Sequence, residues 1–207
     1  MTKRRKWTTI PALLVVAIAA TALSAYSGAS SAEGRAPVQP IDFPHPVHVQ
    51  KLGMNCLYCH YSANKSPDPG LPAVGTCMGC HTVIGPDRPA VAGAPARKSA
   101  ELTKLVGYWN QKQPVPWVRI HKVPEYVHFP HMRHVKAGVT CQSCHGQIQS
   151  MQRVSQAASL NMGWCLNCHV NGYQPAEGAR AAGFTPTADQ VAATPRKARY
   201  DCSSCHY

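Results

Sequence analysis

The sequence is poor in the side chains that build an ordinary hydrophobic core. Only three of its 207 residues are phenylalanine, and aromatic residues together make up 7% of the chain. In addition, 18 prolines and 15 glycines interrupt regular helices and strands. A chain of this composition buries too little apolar surface to fold on its own, so it needs another source of core.

Acidic residues are also scarce. Nine Asp and Glu against 21 Lys and Arg give a formal net charge of +12. A basic chain can bind nucleic acid, but here no recognition motif and no pattern of interleaved aromatic and basic residues accompanies the charge. We therefore expect no nucleic-acid partner, and we interpret the basic side chains as solvated surface or as partners of anionic groups.

The only long apolar run covers residues 10–25 and follows the basic residues 3–6. It is either a secretory signal, with a small-residue cleavage site at 30–32, or a retained membrane anchor. Trp7 and Tyr26 bracket the run like interfacial residues, about 28 Å apart in a helix, which is close to the hydrocarbon thickness. We favour the anchor. Both interpretations place the rest of the chain outside the cytoplasm, and the anchor would hold it at the cytoplasmic membrane, on the periplasmic side.

No cysteine stands alone, because the ten cysteines form five C-x-x-C pairs that are each followed at once by histidine. In chain order these are motif 1 (Cys56, Cys59, His60), motif 2 (Cys77, Cys80, His81), motif 3 (Cys141, Cys144, His145), motif 4 (Cys165, Cys168, His169) and motif 5 (Cys202, Cys205, His206). C-x-x-C-H attaches c-type haem: the thiols bond to the porphyrin and the histidine ligates the iron. The sequence therefore predicts five covalently bound haem c groups.

Three other interpretations of the cysteine pairs are half zinc sites, thioredoxin-like redox pairs and five disulfides. None of them requires histidine directly after each pair. Histidine is only 11 of the 207 residues, so five chance occurrences are very improbable. The haem interpretation also supplies the missing core, and it predicts short α-helices and long ordered loops wrapped around five haems, with little or no sheet, plus one N-terminal hydrophobic helix.

An internal repeat divides the chain. Residues 43–48 read F-P-H-x-x-H and precede motifs 1 and 2, and residues 129–134 repeat that pattern before motifs 3 and 4. Two dihaem modules in tandem follow from this repeat. We predict an N-terminal anchor or signal segment at 1–32, the first module and a linker at 33–97, a helix and the second module at 98–172, and a tail at 173–207 that carries motif 5.

Two helices are predicted outside the motifs. Ser99 caps the first, whose apolar stripe is Leu102, Leu105, Val106 and Trp109, and prolines from residue 114 onward end it. The second begins at Thr187 and stops before residue 195. No catalytic residue is predicted in either.

A six-coordinate iron needs a second axial ligand. Six histidines lie outside the motifs: His45, His48, His121, His128, His131 and His134. The F-P-H-x-x-H pattern favours four of them, since two ligands three residues apart on a turn reach neighbouring irons. For the fifth position we prefer His121 to His128. Methionine is the alternative ligand type, with Met132, Met151 and Met162 near enough in sequence.

The F-P-H-x-x-H and C-x-x-C-H layout resembles class III cytochromes c. Residues 116–131, running into residues 141–146, are more specifically similar to the pentahaem cytochrome c subunit (ActA) of alternative complex III, as are the chain length and the hydrophobic N-terminal segment. The resemblance implies a respiratory, membrane-bound quinol:electron acceptor oxidoreductase. There the subunit relays electrons from an iron-sulfur protein toward a monohaem cytochrome c or a soluble carrier, beside polytopic membrane subunits. It also implies that His121 is a haem ligand, whereas the position of His128 can be tyrosine.

Three functions are compatible with these sequence features. The first is the electron-transfer subunit, which is not an enzyme by itself and has no small-molecule substrate of its own. The second is a small multihaem reductase with an open iron, although the lysine-ligated C-x-x-C-K motif of pentahaem nitrite reductases is absent. The third is a membrane-anchored multihaem quinol dehydrogenase, which the extra motif and the tandem layout disfavour.

Overall fold

The structure is a computed structural model that describes residues 9–26, 32–183 and 185–207. Short helices joined by long loops dominate these ranges, as the sequence predicts. The α-helices are α1 Thr9–Tyr26, α2 Cys56–Cys59, α3 Val74–His81, α4 Ala100–Asn110, α5 His131–Lys136, α6 Cys141–His145, α7 Met162–Asn171, α8 Pro175–Ala181 and α9 Ala188–Ala192. A π-helical turn covers Pro46–Lys51, and single 3-10 turns cover Ile148–Ser150 and Cys202–Ser204.

The apolar N-terminal run forms α1, which carries no charged residue. The side chains of residues 11–22 on this helix are exposed. In the ranges that the structure describes, no helix combines the length and the apolar character needed to cross a membrane. The basic residues 3–6, Trp7 and most of the small-residue site at 30–32 lie outside the described residues.

Both helices predicted outside the motifs are present, and each starts at the predicted position. The Ser99 hydroxyl accepts a hydrogen bond from the backbone N–H of Leu102 at 3.3 Å, and α4 ends at Asn110. Thr187 and Gln190 form a reciprocal capping box at the start of α9. Side-chain oxygens at these positions satisfy backbone donors that the first helical turn leaves unpaired, which is why the sequence alone located both helix starts.

Sheet is minimal in the described ranges. The linker holds β1 Asp87–Arg88 and β2 Arg97–Lys98, which pair antiparallel in a two-stranded hairpin. The C-terminal tail contains α8, a helix that the sequence did not reveal. It packs on the second module, where the Thr140 hydroxyl donates to the Gly178 carbonyl at 3.1 Å.

The side chains bury very little apolar surface among themselves. Among the described residues, only six hydrophobic side chains are buried: Ile41, Met78, Leu105, Ala176, Ala179 and Ala182. The first three form one cluster, which joins α3 to α4. The other three are alanines, each of which contributes a single methyl group. A core of this size cannot offset the conformational entropy of ordering the chain.

We therefore predict that the chain without covalently attached haem does not fold cooperatively, just as small metal domains unfold without their metal. Circular dichroism of a haem-free preparation should show low helix content and no sigmoidal unfolding in urea. The same chain matured with haem is the control, and it should unfold in a sharp transition. A cooperative transition in the haem-free chain would show that the polypeptide core suffices.

Candidate haem-binding sites

Each attachment motif lies on a helix or a helical turn. Residues three apart in a helix point to the same side, so C-x-x-C presents two thiols together. Polar caps fix the start of two of these helices: Asn55 accepts from the N–H of Leu57 at 2.8 Å, and Asn161 accepts from that of Trp164 at 2.8 Å. All ten cysteines are free, and no disulfide bond joins any two of them.

The sequence repeat is also a structural repeat. In the first module the Phe43 and His48 rings stack with centroids 4.3 Å apart and planes at 23°. In the second, Phe129 and His134 stack at 4.4 Å and 27°. The remaining histidine of each pattern meets the same phenylalanine edge-on, at 4.9 Å in the first module and 4.8 Å in the second. The phenylalanine therefore orients both histidines of its turn.

Main-chain carbonyls fix the tautomer of most candidate ligands. A carbonyl oxygen only accepts, so a ring nitrogen bonded to it carries the proton and the other ring nitrogen keeps its lone pair. Six histidines donate from Nδ1 in this way: His48 to Pro44 (3.1 Å), His60 to Gly70 (3.2 Å), His81 to Ile84 (3.0 Å), His131 to Pro67 (3.1 Å), His134 to Pro130 (3.2 Å) and His169 to Arg199 (2.6 Å). This is the arrangement of metal-ligating histidines, whose Nε2 faces the metal.

Several predicted ligands face each other in pairs. Two imidazoles that share a metal at roughly 2 Å have ring centroids about 6 Å apart. His48 and His81 have centroids 6.2 Å apart, and His134 and His169 have centroids 6.0 Å apart. The two modules thus use the last histidine of the F-P-H-x-x-H turn in the same way, each opposite the second motif of its module.

Motif 3 is approached by two candidate ligands. The ring centroid of His145 lies 4.3 Å from that of His121 and 6.5 Å from that of His131. The structure therefore brings both His121 and His131 to motif 3, and of the two His131 has the separation of a pair that shares a metal. His128, the other candidate for the fifth position, lies beside Tyr207 instead. The meeting of His121 and His131 at one motif could not be predicted from the sequence.

Burial keeps these imidazoles neutral. It lowers the pKa of His45 to about 4, with His60 and His48 adding to the effect, and it lowers the pKa of His145 to about 3, with His121 adding to it. Burial also lowers the pKa values of His121, His131 and His134. Neutral imidazole is the form that binds a metal, so these ring nitrogens retain their lone pairs at physiological pH.

Two buried ring nitrogens have no hydrogen-bond partner, Nδ1 of His45 and Nε2 of His121. An orphaned buried polar atom costs free energy unless another group satisfies it, and a ligated iron would satisfy Nε2 of His121. Paired imidazoles, fixed tautomers, free thiol pairs and an orphaned nitrogen all fit haem c bound through the motifs.

Motif 5 has different surroundings. The ring of Tyr126 stacks on that of His206 with centroids 5.7 Å apart. Beside them, the backbone N–H of His128 donates to the Cys205 carbonyl at 2.7 Å, and Nδ1 of His128 lies 3.0 Å from the Tyr207 hydroxyl. Within the described ranges, none of the five predicted sixth ligands makes a ring contact with His206. Sequence reasoning missed the contacts of Tyr126 with His206 and of Tyr207 with His128, because the two residues of each contact are far apart in the chain.

Two comparisons with known proteins agree with this chemistry. Residues 133–207 match the family model for cytochrome c3. Over 108 residues, 52% of this chain, the sequence is 35% identical to the menaquinone reductase multihaem cytochrome c subunit of Nitratidesulfovibrio vulgaris. That match spans 45% of the relative's own length, less than half of it.

The cytochrome c3 match contains motifs 3, 4 and 5, so it falls on residues that the structure arranges for haem. It supports covalently bound haem c and a role in electron transfer. On the geometry and the comparisons together, residues 133–207 are similar to the cytochrome c3 type of multihaem domain.

Proposed function

We propose that this chain is the pentahaem electron-transfer subunit of a quinone-linked membrane oxidoreductase complex, with one haem c on each motif. The observation that carries the proposal is the set of paired imidazoles, each held by a main-chain carbonyl, at the attachment motifs. The bound irons would supply one-electron redox chemistry.

The protein's own groups hold and close the haem sites. The ten motif cysteines tether the porphyrins, and His60, His81, His145, His169 and His206 are the proximal ligands. We assign the sixth ligands to His45, His48, His121, His131 and His134; ring separations of 6.0 to 6.5 Å from a motif histidine support this for His48, His131 and His134. Wherever imidazoles held both sides of an iron, they would leave no coordination position for a substrate, so the chain would relay electrons and transform no small molecule itself.

The finer assignment is to alternative complex III. There the chain would accept electrons from an iron-sulfur subunit and pass them toward a monohaem cytochrome c or a soluble carrier. The resemblance of residues 116–146 supports this assignment. A second candidate is the opposite direction, electron delivery to menaquinone, which the name of the Nitratidesulfovibrio relative, a menaquinone reductase subunit, favours.

We also propose that the haem-bearing part lies on the periplasmic face of the cytoplasmic membrane. The basic residues 3–6 precede the apolar helix α1, and positive charge stays on the cytoplasmic side of such segments. C-type haem attachment also needs thiols outside the cytosol.

The subunit role predicts co-purification. Extraction of membranes in mild detergent, followed by mass spectrometry, should recover the chain with an iron-sulfur subunit and polytopic membrane subunits. Added menaquinol should then reduce its haems if the complex oxidises quinol, and menaquinone should reoxidise pre-reduced haems if it works in the other direction. Recovery of the chain alone, with a haem that binds carbon monoxide, would favour a small reductase instead.

Ligation by His121 predicts an open iron when that ring is removed. The His121→Ala holoprotein should bind carbon monoxide at one ferrous haem, because its iron loses a strong-field ligand. His128→Ala is the matched control and should leave the spectrum unchanged, since His128 is exposed and bonded to Tyr207. Carbon monoxide binding by the control variant alone would transfer the ligand role to His128.

One motif should carry one haem. The double substitution Cys141→Ser and Cys144→Ser removes both thiols of motif 3, so intact-protein mass spectrometry should show the loss of a single haem. The pyridine haemochrome absorbance should fall by about one fifth in parallel. Loss of no haem, or of more than one, would contradict one attachment per motif.

A further inference from the structure

We infer that the five motifs lie in single file in the spatial order 2-1-3-4-5, so that the two ends of the electron relay are motif 2 and motif 5. This order differs from the order along the chain because motifs 1 and 2 are reversed. The inference rests on the proposed function in assuming one haem per motif.

Motif 2 touches motif 1. Tyr58 lies between the two cysteines of motif 1, and Gly79 lies between those of motif 2. A Cβ placed on Gly79 would stand 4.0 Å from the Tyr58 hydroxyl, so the side chain of Tyr58 reaches to within a methyl group's width of motif 2. The turn that holds His48 opposite motif 2 also carries His45, whose pKa is lowered by burial and next by His60 of motif 1.

Motif 1, rather than motif 2, meets the second module. The first cysteines of motifs 1 and 3, Cys56 and Cys141, lie beside each other. The loop after motif 1 binds the ligand turn of the second module: the Pro67 carbonyl accepts from both the backbone N–H and Nδ1 of His131, each at 3.1 Å. In the same loop, the Gly70 carbonyl accepts a hydrogen bond from Nδ1 of His60, the histidine of motif 1.

The same loop makes a further hydrogen bond to the second module: the Ser66 carbonyl accepts from the backbone N–H of Met132 at 3.2 Å. The modules therefore join through equivalent parts, first motif against first motif. Such a head-to-head junction places the second motif of each module on the outer side, which puts motif 2 at one end of the file and motif 4 beyond motif 3.

Motif 3 is followed by motif 4 and then motif 5. A cavity of about 260 Å³ is lined by Ser143 and Cys144 of motif 3 and by Trp164, which precedes motif 4. From motif 4, Nδ1 of His169 donates to the Arg199 carbonyl at 2.6 Å, and the N–H of Ala198 donates to the His169 carbonyl at 3.3 Å. Arg199 stands three residues before motif 5.

Motifs 2 and 5, the two ends of the relay, pack against different groups. Motif 2 rests on the apolar cluster through Met78 and Leu105. Motif 5 is held by Tyr126 and by the backbone bridge between Val127 and His206. Among the described residues, no hydrogen bond or ring contact joins motif 2 to motif 5. Electrons that enter at one of these ends must cross motifs 1, 3 and 4 to leave at the other.

Iron positions in the unaltered holoprotein test the order directly. Anomalous diffraction at the iron edge, with each iron assigned through its thioether links, should place the iron of motif 1 between those of motifs 2 and 3. The irons of motifs 2 and 5 should be the most distant pair. An iron of motif 2 that lies between two others would overturn the inference.

Flash reduction tests the spatial order of the motifs separately from the proposed relay function. A ruthenium photoreductant is attached to a cysteine introduced at Val83, which is 89% exposed beside motif 2. With repeated flashes in dilute protein, all five haems should become reduced. In the Cys56→Ser, Cys59→Ser variant only one of the four remaining haems should be reduced, because the haem of motif 2 is isolated.

The matched control is the Cys202→Ser, Cys205→Ser variant, which loses an end haem and should still reduce all four that remain. Full reduction in the motif 1 variant would overturn the order, since that is the result expected for a file that follows the sequence. A correct iron arrangement without transfer from motif 2 to motif 5 in the five-haem protein would refute the relay and leave the order intact.

Discussion

The hydrogen bond from an imidazole Nδ1 to a main-chain carbonyl is the interaction on which the haem sites depend. It fixes the tautomer, aims Nε2 and holds the ring before any iron is bound. The acceptors are carbonyl oxygens at bends of the main chain. Pro44 and Pro130 sit at the start of the two ligand turns, where their carbonyls serve His48 and His134 four residues later. The loops that look irregular are thus arranged to present carbonyl oxygens to histidines.

Local patterns could be predicted from the sequence, whereas long-range contacts could not. The motifs, the repeat and the caps at Ser99 and Thr187 involve residues within a few positions of each other, so composition and spacing sufficed to predict them. The bond from His131 to Pro67 spans 64 positions, and the contact of His128 with Tyr207 spans 79. Nothing in either local sequence encodes its partner, because the pairing follows from how the modules pack. Helix α8 escaped prediction for a similar reason, since its small alanine face is defined by what covers it.

The two modules repeat in sequence but not in every contact. His131 of the second module is held by a carbonyl of the first, whereas Nδ1 of its counterpart His45 is buried without a partner. A hydrogen bond at Nδ1 makes an imidazole a more basic ligand and favours the oxidised iron. The junction between modules therefore does more than join them, because it would make the haems of two similar modules differ in potential.

A relay built in this way has no chemical direction of its own. In the proposed relay the ligands would not change during transfer, so the potentials of the donor and acceptor at the two ends would decide which way electrons move. The same architecture suits a subunit that drains electrons from quinol and one that delivers them to menaquinone, as the name of the Nitratidesulfovibrio relative describes. The proposed geometry is therefore compatible with either direction, which would be set by the partners that dock at the two ends of the relay.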